Sequence, residues 1–327
     1  MIPTLDLSHF TSGSEEQRQK FVQDLLASFD ESGFVKLINH GFDEKQLSKL
    51  FTWSKTFFNQ PLEAKHEIPN ETGPRPMRGY TGLSIEYVSK LSSDEKIRIM
   101  SDTKEHFDQG PAFDTEYPNK WPSAPSLSGF RPFMEAFYLQ CDEVCITLVK
   151  ALEAAFGVED GSLVERCIPA ATDLRLTHYP PITVGEMRSG KTSRIAPHSD
   201  FGIVTLLFQD STGGLEVEDR LHPGTFAPVP PTDTMEMIVN VGDTLERWTN
   251  GKLFGGVHRV AIPEPMLKDG EEAVLPERYS MAYLHKAQRN TPVGPLPKFV
   301  TPENPAKYPE MTALEFQKWR NSILYTY

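Results

Sequence analysis

The chain has 327 residues, 39% of them hydrophobic, enough to bury a substantial core in one large or two small domains. Its 33 basic residues are outnumbered by 45 acidic ones, a net charge of -12, and no Lys/Arg run or basic face with interleaved aromatics stands out. That balance argues against nucleic acid or an anionic membrane as a partner.

The first residues, Met1 to Leu7, carry no basic-then-apolar leader pattern, and no apolar run reaches transmembrane length. A cytoplasmic protein is expected. Cys141, Cys145 and Cys167 fit a reducing compartment, with Cys141 and Cys145 on one side of a helix as core thiols.

In chain order, residues 2–7 read as a short strand. Residues 14–32 follow as a helix with Phe21, Leu25, Leu26 and Phe29 on one stripe, opened by a Ser14/Gln17 capping box and closed by Gly33. Phe34–Ile38 is the next strand. Asp43 caps a helix over 44–58 whose inner face is Leu47, Leu50, Phe51, Phe57 and Phe58, and a short helical piece runs from Pro61 to His66. Residues 69–126 are rich in Pro, Gly, Asp and Asn and alternate poorly, which predicts an irregular segment with 75–110 as a binding lid. A long helix over 128–156 ends at Gly157.

After 170 the texture becomes short apolar runs broken by Gly, Pro and Asp: 174–179, 203–208, 215–218, 226–229, 235–239, 257–260 and 279–284. Evenly spaced short strands predict a jelly roll or sandwich. Asn250-Gly251 reads as a hairpin turn, and a helix with Leu314, Trp319 and Leu324 closes the chain. The fold class expected is α+β with a mainly β core. Its parts are an N-terminal region (1–125), a spine helix (126–170), a β core (171–290) and a helical tail (291–327), acting as one cooperative unit.

The stretch that carries chemistry is Pro197-His198-Ser199-Asp200-Phe201-Gly202, leading into an apolar strand. Residues two apart on extended chain point to one side, so His198 and Asp200 can converge on a point. His258, on a later strand beside Gly255 and Gly256, is the candidate third ligand. Two His and one carboxylate with open positions is the ligand set of a non-haem Fe(II) oxygenase. Downstream, Arg278 and Ser280 share a strand face and together form a natural receptor for a carboxylate. Most of the remaining histidines, His9, His40, His66, His106, His178, His222 and His285, are expected at the surface or at caps.

Four segments, in order and approximate spacing, resemble the isopenicillin N synthase-like branch of the 2-oxoglutarate/Fe(II)-dependent dioxygenases. They are Leu176-Thr177-His178-Tyr179-Pro180-Pro181, His198-Ser199-Asp200, Asn240-Val241-Gly242-Asp243 through His258-Arg259-Val260, and Arg278-Tyr279-Ser280. Residues 2–7 and 32–42 are similar to that family's N-terminal region. The resemblance implies a double-stranded β-helix (jelly roll) with iron on His198, Asp200 and His258. It implies Arg278 and Ser280 on the distal carboxylate of 2-oxoglutarate, with Tyr179 nearby and Thr177 where an Asn is common. The interval from His258 to Arg278 is longer than usual, with 263–276 looking like an inserted loop.

The activity implied is hydroxylation or desaturation of a small-molecule metabolite with Fe(II), 2-oxoglutarate and O2, releasing succinate and CO2, by a monomer. Two alternatives are an oxidase or oxidative cyclase of the same fold that uses no 2-oxoglutarate, and a non-catalytic jelly-roll binding protein. For the substrate, Arg175, Leu284 and Lys286 fall on site-facing strand positions, and the two cations suit an acidic or strongly polar molecule. Tyr80, Ile85, Phe107 and Trp319 are further candidate contacts.

Overall fold

The computed structural model describes residues 2–91, 100–233 and 235–325. The main elements in chain order are β1 (Thr4–Asp6), α1 (Glu15–Glu31), β2 (Phe34–Ile38), α2 (Glu44–Phe58), β3 (Gly79–Thr81), β4 (Glu105–Gln109), α3 (Phe130–Phe156), β5 (Asp173–Tyr179), β6 (Ile195–His198), β7 (Val204–Gln209), β8 (Leu215–Glu218), β9 (Phe226–Pro228), β10 (Met237–Val241), α4 (Asp243–Trp248), β11 (His258–Val260), β12 (Arg278–His285) and α5 (Ala313–Leu324). The helix starts obey local chemistry. Ser14, Asp43 and Thr312 each accept from the backbone three residues on, and Gln17, Gln46 and Glu315 return the bond. Gly157, at φ 58°, ends α3 in the left-handed conformation that glycine adopts without a Cβ penalty.

Eight strands form a large sheet in the order β1-β2-β10-β7-β12-β5-β4-β3, antiparallel except for β1 with β2, and β9-β8-β11-β6 form a smaller antiparallel sheet. Alternation splits the large sheet into two faces. Leu174, Leu176, Leu206, Phe208, Val239, Met281 and Tyr283 lie in the main core. There Phe57 of α2 and Phe130 and Phe137 of α3 close the packing against Phe107 and Phe208. The opposite face carries Asp173, Arg175, Thr177 and Tyr179 directly beside Leu284, Ala282, Ser280 and Arg278. It looks into a cavity also lined by His198, His258 and Val260 of the smaller sheet and by α5. Among the described residues no helix is long and apolar enough to cross a membrane.

Three expectations change. Within 69–126, Gly79–Thr81 and Glu105–Gln109 are not lid but strands that extend the large sheet. Their alternation is masked in sequence because Glu105, His106 and Asp108 are polar on both faces and all are buried. Residues 92–99 of the expected lid lie outside the described residues. Asn250-Gly251 closes the helix α4 rather than a hairpin, both residues at positive φ, and the Asn250 amide donates to the carbonyls of Phe299, Asn304 and Pro305. His40, His106, His178 and His285 are buried, not surface or cap residues. The 263–276 excursion pairs Val274–Leu275 with Ile182–Thr183 and packs a small separate cluster of Ile182, Val184 and Leu275. The three cysteines are free and buried, Cys141 and Cys145 as the core thiols read from sequence.

Candidate active site

His198 ends β6 and His258 begins β11, and the two are directly opposed in the antiparallel pairing. Asp200 follows on the turn into β7. The donor atoms of His198, Asp200 and His258 all lie within 4.8 Å of one another. Each imidazole is held the same way: Nδ1 of His198 donates to the Ala196 carbonyl and Nδ1 of His258 to the Gly256 carbonyl, both at 2.9 Å. This fixes the tautomer and leaves each Nε2 as a free lone pair, the state a metal ligand needs.

The Asn240 amide donates to Asp200 Oδ2 at 2.9 Å. Burial would raise the Asp200 carboxyl, but the two imidazoles and Asn240 overcome it and hold it below its usual range. Burial, reinforced by the second ring, lowers His198. Two imidazoles and a carboxylate converging on one point are a donor set suited to a divalent cation. Gly242 makes the turn possible, since a Cβ there would collide with the Gly202 carbonyl and come 3.1 Å from that of Asp200.

Beyond the triad the cavity ends at β5 and β12. Arg278 is paired with Tyr179 and Ser280 with Thr177 in register, so all four sequence-predicted residues meet at one place. The Arg278 guanidinium is 1% exposed, sits 5.0 Å over the Tyr179 ring, and is anchored by Gly213 and Gln209, while its Nη1 has no partner among the described residues. A buried cation with an unused donor facing a cavity fits a carboxylate ligand.

Two protein families match the chain. The family described as non-haem dioxygenase in morphine synthesis N-terminal matches residues 2–124, and the 2OG-Fe(II) oxygenase superfamily matches residues 171–287. The 2-oxoglutarate-dependent dioxygenase imqE of Aspergillus flavus is 44% identical over 99% of this chain and 95% of its own length. The proline hydroxylase buaE of Petromyces alliaceus is 39% identical over 100% and 99%. A solved structure of a full-length Neurospora crassa protein in complex with alpha-KG and thymine superposes with a TM-score of 0.86 at 30% identity, covering 98% of this chain and 96% of that one. This chain belongs to the 2OG-Fe(II) oxygenase superfamily. It is an Fe(II)/2-oxoglutarate-dependent dioxygenase.

The substrate walls of this oxygenase differ from the sequence expectation in their charge. Arg175, Leu284 and Lys286 do line the cavity. However, Arg175 is already held by Asp108 at 2.8 Å and by Glu86 at 3.3 Å, and Lys286 by Asp173. Lys104, also in the lining, is bound by Glu86 at 2.7 Å. Nothing in these pairs leaves an uncompensated cation for an acidic substrate.

Tyr80 and Phe107 are not at the cavity. Phe107 lies beside Leu176 on the core face and packs on Phe57 and Phe130, and Tyr80 sends its hydroxyl to Glu105. The strand phase decides this, because His106 and Asp108 share the face of Thr177 and Arg175 and Phe107 does not. Ile85 and Trp319 are exposed and do not line the cavity. From the same two stretches the oxygenase uses Glu86 and Val88, and Gln317, Asn321 and Leu324. The spacing 317, 321, 324 is one helical stripe, a signal that the sequence carried.

Proposed function

We propose that His198, Asp200 and His258 hold the Fe(II), that Arg278 and Ser280 with Tyr179 and Thr177 hold the distal carboxylate of 2-oxoglutarate, and that the rest of the cavity takes a small metabolite. The observation that carries this is the triad of converging donor atoms in one cavity with a buried, under-bonded Arg278. The two sheets that enclose it fit a double-stranded β-helix. The matched segments 2–124 and 171–287 support an N-terminal region and a catalytic core joined by α3.

Iron bound there would supply the oxidative chemistry that couples decarboxylation of 2-oxoglutarate to hydroxylation or desaturation of the substrate. The chain's own part is positional. Ala196 and Gly256 carbonyls aim the two imidazoles, Asn240 orients Asp200, and Arg278 with Ser280 sets the depth of the cosubstrate. Val88, Leu91, Ile195, Phe201 and Leu324 keep the reacting end apolar.

For the substrate we favour a compact molecule, neutral or zwitterionic overall. Its apolar body would rest on Val88, Leu91 and Leu324 and its polar groups on the compensated row Glu86, Arg175 and Lys286. The proline hydroxylase among the relatives and the thymine in the solved neighbour support a small ring compound. Free buried thiols support a cytoplasmic setting.

The test is succinate release with Fe(II), 2-oxoglutarate and O2 against a panel of metabolites. Small neutral or zwitterionic rings should raise it above the substrate-free rate. Stimulation by net-anionic compounds alone would return Arg175 and Lys286 to the role of substrate contacts. Oxygen uptake without succinate would overturn the assignment of the Arg278 end.

A further inference from the structure

Buried cations in this protein follow a rule with three exceptions, Arg194, Arg247 and Arg278, and of these Arg247 is satisfied by the carbonyls of Val293 and Pro309. Lys36, Lys65, Arg78, Lys104 and Lys286, and the part-buried Arg175, each have a carboxylate within ion-pair distance. Among the described residues, buried cationic nitrogens without a hydrogen-bond partner belong to Arg194, Arg278 and Arg320, and Arg320 has Asp243 at 3.2 Å. Arg194 and Arg278 are 0% and 1% exposed, and among the described residues neither forms a salt bridge.

These two are neighbours. Arg194 immediately precedes β6, and its Nη2 donates to the carbonyl of Pro276, two positions ahead of Arg278. Its Nε and Nη1 have no partner, nor do Nη1 of Arg278 and Nε2 of Gln209, whose carbonyl oxygen accepts from Arg278. The Asp210 carboxylate nearby is occupied by the Thr212 and Tyr279 amides. This corner therefore presents four unpartnered buried donors. Burying two like charges together is unfavourable unless an anion joins them. Burial, with the Arg278 charge beside it, pulls the Arg194 guanidinium down to about 10.

We propose that Arg194 is a positioning residue of the cosubstrate subsite: a second guanidinium that stands behind Arg278 and gives this corner its selectivity for a keto acid ending in a carboxylate. Arg194 is not among the residues that line the cavity, so it acts through Arg278 and Tyr179 rather than by touching the reacting atoms. The inference rests on the placement of the 2-oxoglutarate carboxylate at Arg278.

The experiment is calorimetric binding of two keto acids to the full chain loaded with Mn(II). 2-Oxoglutarate is compared with 2-oxopentanoate, in which a methyl replaces the distal carboxylate. Wild type should prefer 2-oxoglutarate. Arg194→Gln should weaken 2-oxoglutarate by about tenfold while leaving 2-oxopentanoate nearly unchanged. Arg194→Lys, which keeps the charge, should retain most of the preference.

In thermal melts without keto acid, Arg194→Gln should be no less stable than wild type, because a buried unpaired charge has gone. With 2-oxoglutarate it should gain less than wild type does. Equal weakening of both ligands, an unchanged preference, or a variant that fails to fold would each make Arg194 structural and overturn the proposal. A wild type that does not distinguish the two acids would instead overturn the placement at Arg278, so the two failures are told apart.

Discussion

His198 and His258 stand opposite each other across the β6–β11 pairing, with ring centroids 4.3 Å apart and planes tilted by 48°. Each ring is tied by Nδ1 to the carbonyl two residues back in its own chain. One local device used twice, on strands in register, aims two Nε2 atoms at one point, and Asp200 supplies the charge that makes a cation welcome there.

Asp200→Ala should therefore lose turnover and bind iron much more weakly. Metal content after gel filtration, with succinate release on the same sample, checks both. Retained activity would sink the triad assignment.

Arg278→Leu removes a charge-assisted contact of roughly 2–3 kcal/mol. The apparent KM for 2-oxoglutarate should rise well over tenfold. The KM for the organic substrate should move far less, and a steady-state matrix of the two concentrations separates them.

Arg175→Met leaves Glu86 and Asp108 buried without the guanidinium that joins them. Breaking a buried pair by removing one partner costs roughly 3–5 kcal/mol, so the urea midpoint should fall sharply. If stability holds and only the substrate KM rises, Arg175 is a substrate contact rather than a wall.

Asp102 gives a pH signature. Burial, against the opposing pull of Lys104, raises its carboxyl from 3.8 to about 6. A raised folded-state value means that the fold favours the protonated form. Stability from this group is complete below about pH 4 and is lost as pH rises through 6. Asp102→Asn should be close to wild type in stability at pH 4.5 and more stable at pH 7.5, by up to about 3 kcal/mol. Denaturation curves at the two values decide it, and a constant offset would mean that Asp102 does not titrate in this window.

The pairs His198/Asp200 and Arg278/Ser280 were legible in the sequence because a period of two on extended chain is enough to bring each together, whereas His258 joins the first pair only through the β6–β11 pairing. The large helices were legible through their caps and stripes. The charge network was not. His106 and Asp108 sit on a strand polar on both faces, so no alternation marked it, and the aromatic Phe107 drew attention to the wrong side. Arg194 gives no sequence signal, since an arginine before a short strand reads as surface until its burial and missing partners are seen. Trp319 is exposed on α5, whereas the helix presents Gln317, Asn321 and Leu324 to the cavity.

β12 is the last strand of the large sheet in chain order, yet it lies near the middle, between β7 and β5. Until residues 278–285 arrive, Val204–Gln209 and Asp173–Tyr179 each keep an open edge toward the gap. Such edges can pair with other chains, and pairing over a long sequence separation is slow. The same insertion that brings Arg278 and Ser280 to the cavity closes both of these edges, so completing the cavity wall and covering the open strands are one event.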